Sequence, residues 1–428
     1  MFTPKTGTSH RAPLINEDDD QVVDEVHGRK PKSQPLDENL YSYEIDPLSV
    51  GRNKVLTTLD KCFCCACCWK RWQIAILANI GFIIVFGIRI NFGTARSRLA
   101  LNYTDPDGVV HEKMYDWSSD QLGVMEGSFF YGYIVTQLPG GFLAAKFAPN
   151  KLFGLAIGMA SFFNLFMPSA CQSGVGAVVI VQICQGLVQG VSYPAMHGVW
   201  RYWAPPMERS KLATTALTGS YAGAVLGLPL CATLVSYGSW QAPFYVYGVA
   251  GIIWSFFWYC LTFEKPALHP TITEEEKLHI EKSIGEVSTL QPNLSNIPWK
   301  DIATSKPVWA IIVANFARSW TFYLLLNHQV AYMRDALKMQ YEESGIISAL
   351  PHAVMACCVL LGGQLADLLR ARNIMSTTNV RKIFNCGGFG TEAIFLLAAG
   401  YTKSASGAVI SLIISVGRSG FAISGKID

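Results

Sequence analysis

Arg89 and Arg318 each lie in a long apolar stretch of the 428-residue chain, where a charged side chain is costly. Arg318 comes about ten residues into its stretch, too deep to extend easily to a membrane surface. Arg89 ends another stretch, and its guanidinium could instead reach that surface. Because a guanidinium pairs with a carboxylate through two parallel hydrogen bonds, two such cations favour a binding site for an anion.

A stripe of polar side chains follows one face of a third apolar stretch. Its members recur at spacings of 3, 4, 4 and 4 residues, a helical period: Gln182, Gln185, Gln189, Tyr193 and His197. Lipid exposure of this face would be expensive, so we expect it to face other helices or a cavity. Interhelical hydrogen bonding and a cavity wall both fit this pattern.

Glu126 is a carboxylate within a fourth apolar stretch. It could compete with an anionic substrate for an arginine, act as a proton-accepting group, or form a structural ion pair. The type of residue alone does not separate these three interpretations.

Five of the 12 cysteines crowd together just before the first apolar stretch: Cys62, Cys64, Cys65, Cys67 and Cys68. Structural zinc usually takes two separated ligand pairs, and this stretch has neither a second pair nor a nearby histidine. Disulfides are disfavoured on a reducing, cytoplasmic side. Juxtamembrane cysteines are frequent palmitoylation sites, which is the favoured interpretation, and unmodified interfacial thiols are the alternative.

The composition indicates which elements must position these side chains. The chain is 50% hydrophobic and only 15% charged, whereas a soluble domain carries about 25% charged residues. An aromatic content of 12% excludes a disordered chain, and a net charge of +3 gives no basic field for nucleic acid. No Ser-His-Asp constellation, metal motif or phosphate-binding loop occurs, so we expect neither an enzyme nor a cofactor or bound metal.

Ten apolar segments approach the roughly 20 residues that a membrane-spanning helix needs. They run near Trp72–Phe92, Gln121–Leu143, Leu152–Ala170, Gly176–Val199, Leu212–Val235, Gln241–Thr262, Pro307–Leu326, Gly345–Leu365, Ile383–Tyr401 and Ala408–Gly425. Backbone polar groups in lipid must be satisfied internally, so these segments are expected to be helices. The sequence therefore predicts an all-α membrane protein without strands.

Lys and Arg concentrate in alternate loops, such as those containing Lys146 and Arg201. Cytoplasmic loops carry this excess, so both termini are expected to be cytoplasmic. The sequon Asn102-Tyr103-Thr104 then lies in a non-cytoplasmic loop, where Asn102 can be glycosylated. The sequon that begins at Asn293 should stay unmodified on the cytoplasmic side.

The pattern Gly-Gly-x-Leu-Ala occurs at Gly140–Ala144 and again at Gly362–Ala366, 222 residues apart. Both copies precede a turn with basic residues. Two units in the same orientation, joined by a charged loop, resemble the parallel-repeat plan of major facilitator transporters. We therefore expect a cytoplasmic tail over 1–70, a six-helix half over 71–263, a linker over 264–306 and an incomplete four-helix half over 307–428.

Several longer motifs resemble the sialin and vesicular glutamate transporter family of anion carriers. In the first half these are Gly127–Ile134, Gln137–Gly141, Gln185–Val188, Tyr193–Ala195, Trp203–Ser210, Gly219–Val225 and His269–Thr273. In the second half, three motifs resemble the glutamate-carrier branch of this family in particular: Ala314–Phe316, Arg318–Leu326 and Asn385–Gly390. The resemblance covers about residues 70–425.

The resemblance implies that Arg89 and Arg318 contact the substrate from repeat-related helices that face a central cavity. Tyr193 and Gln182 on the polar stripe are further candidates for substrate contact. Three positions depart from the glutamate carriers, which have an arginine at Gln182, a glutamate at Gln189 and a histidine at Glu126. Glutamine does not titrate, so proton coupling depends on whether Glu126 replaces the group missing at Gln189.

These features together predict a secondary transporter of small organic anions, with glutamate as the first candidate. It would work in an intracellular vesicle membrane, synaptic or lysosomal, with the plasma membrane as the alternative. Membrane potential, a proton gradient or both would drive it, and protons, sodium, chloride and phosphate are candidate companion ions.

Two other functions remain open from the sequence. One is a non-transporting short form that binds or regulates a full-length relative, because a complete facilitator has twelve helices and this chain is expected to stop after the tenth. The other is a sialin-like or phosphate-type anion carrier.

Overall fold

The computed structural model describes residues 69–100, 102–104, 110–285, 298–339, 341–372, 374–402 and 404–424. The cysteine cluster at 62–68, most of the predicted tail and Asn293 lie outside these residues.

The described part of the first half contains six long helices, the fourth of them in two pieces. They are α1 Lys70–Ala100, α2 Ser119–Lys146, α3 Pro149–Ser173, α4 Val175–Gln189 with α5 Ser192–Trp203, α6 Arg209–Thr233 and α7 Ala242–Leu261. A π-helical turn, Leu234–Gly238, extends α6, and a short 3₁₀ turn, Pro266–Leu268, follows α7.

Two short helices of the linker and four long helices follow. They are α8 Glu274–Ile284, α9 Trp299–Thr304, α10 Lys306–Asp335, α11 Tyr341–Ala371, α12 Thr377–Tyr401 and α13 Ala405–Ser424. Nine of the ten predicted spans each coincide with one long helix, the fourth coincides with α4 and α5 together, and the helical fold class is confirmed.

By length and composition, eight of the described helices are long and apolar enough to cross a membrane. The second and eighth predicted spans, α2 and α11, are not among these eight. Polar residues such as Asp120 and Glu126 lower the apolar content of α2. In α11 only the part Glu343–Val359 qualifies, as a shorter apolar helix.

The prediction that no strand occurs is wrong in one loop. Tyr103–Thr104 and Val110–His111 pair as an antiparallel ladder after α1, with Tyr103 opposite His111. Within lipid, open strands are excluded because water cannot satisfy their backbone groups, but this constraint does not apply to a polar loop outside lipid. The ladder lies next to Asn102, whose exposed side chain accepts a hydrogen bond from the Lys113 backbone at 2.7 Å.

α1 extends eight residues past the end predicted at Phe92. Hydropathy reports the apolar stretch of a helix, whereas backbone hydrogen bonding continues α1 through Arg96 and Arg98 to Ala100. Hydrogen bonds from α7 to α3 and α1 tie the first half together: Trp258 donates to the Asn150 carbonyl at 2.8 Å and Trp254 to the Leu77 carbonyl at 3.0 Å.

α2 and α4 approach closely because both carry a glycine at their crossing. A Cβ added to Gly132 would lie 2.1 Å from the Ile183 carbonyl oxygen, and one added to Gly186 would lie 2.0 Å from that of Phe129. Small residues allow this backbone approach in membrane helices. The crossing fixes the stripe on α4 beside the aromatic residues of α2.

A buried ion network closes the end of the bundle where α1 begins and α2 ends, which we call the basic end. Arg71 donates to both carboxylate oxygens of Glu208 at 2.7 and 3.2 Å and to Glu276 of the linker helix α8 at 3.2 Å. The Glu276 carboxylate also accepts from the backbone amides of Lys70 and Arg71, which begin α1. The network therefore fastens the linker to the first half.

The two halves meet where α1 packs on α10 and where α6 packs on α11. These contacts place the first and seventh predicted spans side by side. They define the region in which both arginines lie.

Candidate anion-binding site

Arg89 joins the two halves near the middle of α1. Its Nε donates to the side-chain amide oxygen Oε1 of Gln189 at 2.8 Å, and its Nη1 donates to the Tyr323 hydroxyl at 2.9 Å. The guanidinium carbon also lies 4.7 Å from the centre of the Phe86 ring and 4.9 Å from that of Tyr133. The expectation that Arg89 ends its helix and could reach the membrane surface is wrong, because α1 continues to Ala100.

The pocket beside Arg89 is small. Its volume is about 20 Å³, enough for about one water molecule. The lining residues include Arg89, Glu126, Gln182, Tyr323 and Asn327. This pocket is too small for an organic anion in the present conformation.

Arg318 faces a much larger cavity of about 470 Å³, within the range of small-molecule sites. Its Nη2 donates to the Tyr221 hydroxyl at 2.5 Å, whereas its Nε has no hydrogen-bond partner among the described residues. Tyr193 also lines this cavity, and its hydroxyl lies 2.9 Å from Ser220 Oγ. Among the described lining residues, Arg318 alone is charged.

Tyr323 lines both spaces and separates the two arginines. The sequence led us to expect Arg89, Arg318 and the polar stripe around one cavity, and the structure divides them between two. Tyr193 lines the large cavity together with Arg318, whereas Gln182 lines the small pocket together with Arg89. Gln182 and Tyr193 are eleven positions apart, which corresponds to about 16 Å along a helix. The two ends of the stripe therefore lie at different levels along the bundle and line different spaces.

The other residues of the stripe fit both interpretations made from the sequence, which are interhelical hydrogen bonding and a cavity wall. Gln189 is fully buried against Arg89, whereas Gln185 donates to Asn164 Oδ1 on α3 at 3.3 Å. His197 is exposed and does not share the burial of Gln182, Gln185 and Gln189. The break between α4 and α5, at Gly190 and Val191, separates His197 and Tyr193 from the glutamines of the stripe.

Glu126 lies between an arginine and a histidine of its own chain. Its Oε1 lies 3.1 Å from Arg96 Nη1 on α1, and its Oε2 lies 3.2 Å from His328 Nδ1 on α10. Its side chain is 7% exposed. The ion-pair alternative for Glu126 is therefore present in the structure, but its partners could not be identified from hydropathy because Arg96 and His328 lie beyond the predicted apolar spans.

Glu392 on α12 is a buried acid that the sequence reasoning missed. Its carboxylate is hydrogen-bonded by Ser419 of α13 and interacts electrostatically with Arg318. The rule that singled out Glu126, an acid within a predicted span, also applies to Glu392 and would have found it.

Comparison with known proteins supports the same fold. The family model "Major Facilitator Superfamily" matches residues 74–425. A probable vesicular glutamate transporter of Caenorhabditis elegans, eat-4, is 62% identical over 381 residues, which cover 89% of this chain and 66% of that protein. Vesicular glutamate transporter 1 of Bos taurus is 53% identical over 361 residues, covering 83% and 64%. The chain thus spans about two thirds of the length of these relatives.

Solved structures agree at the level of fold. The crystal structure of a bacterial homolog of the human lysosomal transporter Spinster superposes with a TM-score of 0.60 at 16% identity, covering 83% of this chain and 74% of that one. A D-xylose–proton symporter gives a TM-score of 0.54 at 13% identity, covering 81% and 79%. With a family model that matches nearly the whole described region, the chain belongs to the Major Facilitator Superfamily.

Proposed function

We propose that this chain carries the substrate site of a secondary transporter for small organic anions, with glutamate as the first candidate. The observation that carries the proposal is the Arg318 guanidinium in a cavity of about 470 Å³ with no acid among its described lining residues. A carboxylate there could accept from the unpartnered Nε and pair with the cation.

Arg89 is the cation that a substrate would meet next on a path from Arg318 through the molecule. Arg89 lies beyond Tyr323 and also carries an Nη2 that has no partner among the described residues. A substrate moving from Arg318 toward Arg89 would exchange one cation for another, which limits the cost of moving a charge through a low-dielectric region. Tyr323 and Gln189 would hold Arg89 in position for that exchange.

Glutamate is proposed because the curated relatives that cover most of this chain carry the name vesicular glutamate transporter. The same likeness supports a vesicle membrane as the location, and the excess of Lys and Arg in alternate loops supports cytoplasmic termini. Protons, sodium, chloride and phosphate stay candidate companion ions.

The test is uptake of labelled L-glutamate into liposomes that hold the purified chain under an imposed, inside-positive potential. We expect uptake above that of empty liposomes, loss of most uptake in Arg318→Gln, and partial retention in Arg318→Lys, since lysine keeps the charge but not the two-bond geometry. Arg418→Gln is the matched control, because Arg418 is an exposed arginine on α13 that does not line the cavity.

Three results would count against the proposal. Equal loss in Arg318→Gln and Arg418→Gln would indicate a general charge effect. Uptake of phosphate or sialic acid but not glutamate would change the substrate. No uptake by a correctly folded chain would favour the short form that binds or regulates a relative.

A further inference from the structure

A fully buried histidine lies behind the large cavity without a hydrogen-bond partner among the described residues. His352 on α11 is 0% exposed, and neither its Nδ1 nor its Nε2 is paired there. A neutral imidazole has one N–H donor and one acceptor nitrogen, and leaving both unpaired in an apolar interior is costly. Because buried polar groups in native proteins are usually hydrogen-bonded, we expect His352 to meet a polar group from outside the protein.

The Phe322 ring covers His352 on the side of the cavity. The two ring centres lie 5.8 Å apart at an interplanar angle of 86°, and Phe322 itself lines the cavity. Ala356, one helical turn after His352 on the same face of α11, also lines it. An aromatic ring offers at most a weak N–H···π contact, so Phe322 does not replace a hydrogen-bond partner.

The separation between Arg318 and the level of His352 suits a short dicarboxylate. Phe322 follows Arg318 by one helical turn, which is about 6 Å along the axis of α10, and it contacts His352. The two carboxylate carbons of L-glutamate are joined by four carbon–carbon bonds and lie about 5 Å apart when the chain is extended. A substrate with one carboxylate on Arg318 therefore places the other beside the Phe322 ring.

Several hydroxyl groups of the cavity already pair with other groups of the protein. Thr218 Oγ1 donates to the Thr214 backbone carbonyl at 2.7 Å, and the hydroxyls of Tyr193 and Ser220 lie 2.9 Å apart. The imidazole of His352, in contrast, keeps both of its hydrogen-bonding positions open toward any group that passes Phe322.

We infer that His352 binds the second carboxylate of a dicarboxylate substrate once the Phe322 ring turns aside, and that it thereby selects dicarboxylates over monocarboxylates. The inference rests on the proposed function and adds the substrate class. A neutral imidazole donates its N–H to a carboxylate oxygen in a charge-assisted hydrogen bond. A site built this way discriminates against an analogue that lacks the second carboxylate, because the buried donor is then left unpaired.

Chemical modification tests this geometry without transport. Diethyl pyrocarbonate modifies neutral imidazoles, and peptide mass spectrometry of the purified full-length chain reports His352 separately from the other histidines. Phe322→Ala removes the covering ring and should speed modification of His352 severalfold, and Phe322→Leu repeats the test with a smaller loss of volume. Phe316→Ala is the matched control, because Phe316 is exposed on α10 and does not line the cavity.

Protection by substrate tests the contact itself. L-Glutamate should slow the modification of His352 in Phe322→Ala. L-Norvaline, which has a methyl group where glutamate has its second carboxylate, should not.

Uptake into liposomes tests the selectivity. The parent should prefer L-glutamate to L-norvaline. His352→Leu should lower glutamate uptake about tenfold, because a hydrogen bond to a charged group is lost, and should leave norvaline uptake unchanged. His352→Gln keeps an N–H donor and should retain part of the preference. Loss of both uptakes in the same proportion would indicate a purely structural role and overturn the inference.

The inference is also overturned if His352 stays unmodified in both Phe322 variants, or if the two amino acids protect it equally, since a buried water would then be its partner. Size-exclusion chromatography checks the fold of each variant. Glutamate uptake with unchanged selectivity in His352→Leu would contradict the role of His352 and not the proposed function. Protection by glutamate alone, in a chain that takes up none, would contradict the proposed function and not the role of His352.

Discussion

Tyr323 is the side chain that both arginine environments share. Its hydroxyl accepts from Arg89, and its ring lines the cavity that Arg318 faces. Sequence reasoning identified the two arginines from the cost of charge in lipid, but nothing in hydropathy marks a tyrosine as a partition. Which polar groups share a pocket depends on helix length and rotation, and these follow from packing.

Substituting Tyr323→Phe removes the hydroxyl and keeps the ring. We expect uptake to fall about tenfold, since a hydrogen bond to a charged group contributes more than a neutral one. Tyr332→Phe is the matched control on the same helix, where the hydroxyl donates to the Ala399 carbonyl within the second half. Equal uptake by Tyr323→Phe and the parent would mean that Arg89 does not need this partner.

At the scale of elements, the sequence predicted helix positions well and helix ends poorly. Span one was expected to end at Phe92, and the eight further residues of α1 carry Arg96, one of the groups that pairs with Glu126. Arg71, which precedes the first predicted span, adds to the basic residues on that side in a loop-charge count, but it is a buried structural ion. Loop-charge rules assume solvated cations, so they do not detect a lysine or arginine enclosed by the protein's own carboxylates.

The Arg71 network predicts a pH dependence of stability. Hydrogen bonds from the Arg71 guanidinium hold the pKa of Glu208 below its ordinary value. A lowered pKa in the folded state contributes stability above the unfolded value, about 4.3, and this contribution is lost as pH falls through the folded value. Glu208→Gln should therefore unfold at lower temperature than the parent at neutral pH, and the difference should vanish in acid.

Thermal unfolding in detergent at several pH values measures this difference. Glu275→Gln, which removes an exposed carboxylate next to Glu276, is the control and should match the parent throughout. If the difference in unfolding temperature between Glu208→Gln and the parent stays constant down to about pH 3, stability does not depend on the lowered pKa of Glu208.

The glycines of α2 and α4 separate into those that close packing requires and those that it does not. Gly186→Ala on α4 would place a methyl group 2.0 Å from the Phe129 carbonyl of α2, so we expect destabilisation of about 1–3 kcal/mol. Gly141→Ala, in the repeated Gly-Gly motif, meets no atom within 4 Å and should unfold like the parent. Thermal unfolding compares the two, and equal effects would show that the close crossing does not depend on glycine.

At the scale of the whole molecule, orientation can be tested by glycosylation. Asn102 is exposed beside the short ladder that follows α1, on the end opposite the basic end. We expect a glycosidase-sensitive mass at Asn102 in eukaryotic cells and its loss in Asn102→Gln. Sugar at Asn293 would reverse the proposed orientation.

Whether a membrane potential or a proton gradient drives transport also depends on the molecule as a whole. An interior positive by 100 mV favours entry of one negative charge by about 2.3 kcal/mol, which requires no titrating group. Gln189 occupies the position beside Arg89 where a carboxylate would couple a proton to that cation. Glu126 is held by Arg96 and His328, which leaves Glu392 as another buried acid near Arg318.

We therefore expect uptake under a potential alone to exceed uptake under a pH gradient alone. In Gln189→Glu the new carboxylate would lie next to the Arg89 guanidinium, whose Nε is 2.8 Å from the present carbonyl oxygen, and would bind a proton only when Arg89 is drawn away by substrate. That variant should gain a response to the pH gradient. If the parent already takes up anion strongly under a pH gradient alone, the expectation is wrong, and loss of that uptake in either Glu392→Gln or Glu126→Gln would identify the proton-carrying acid.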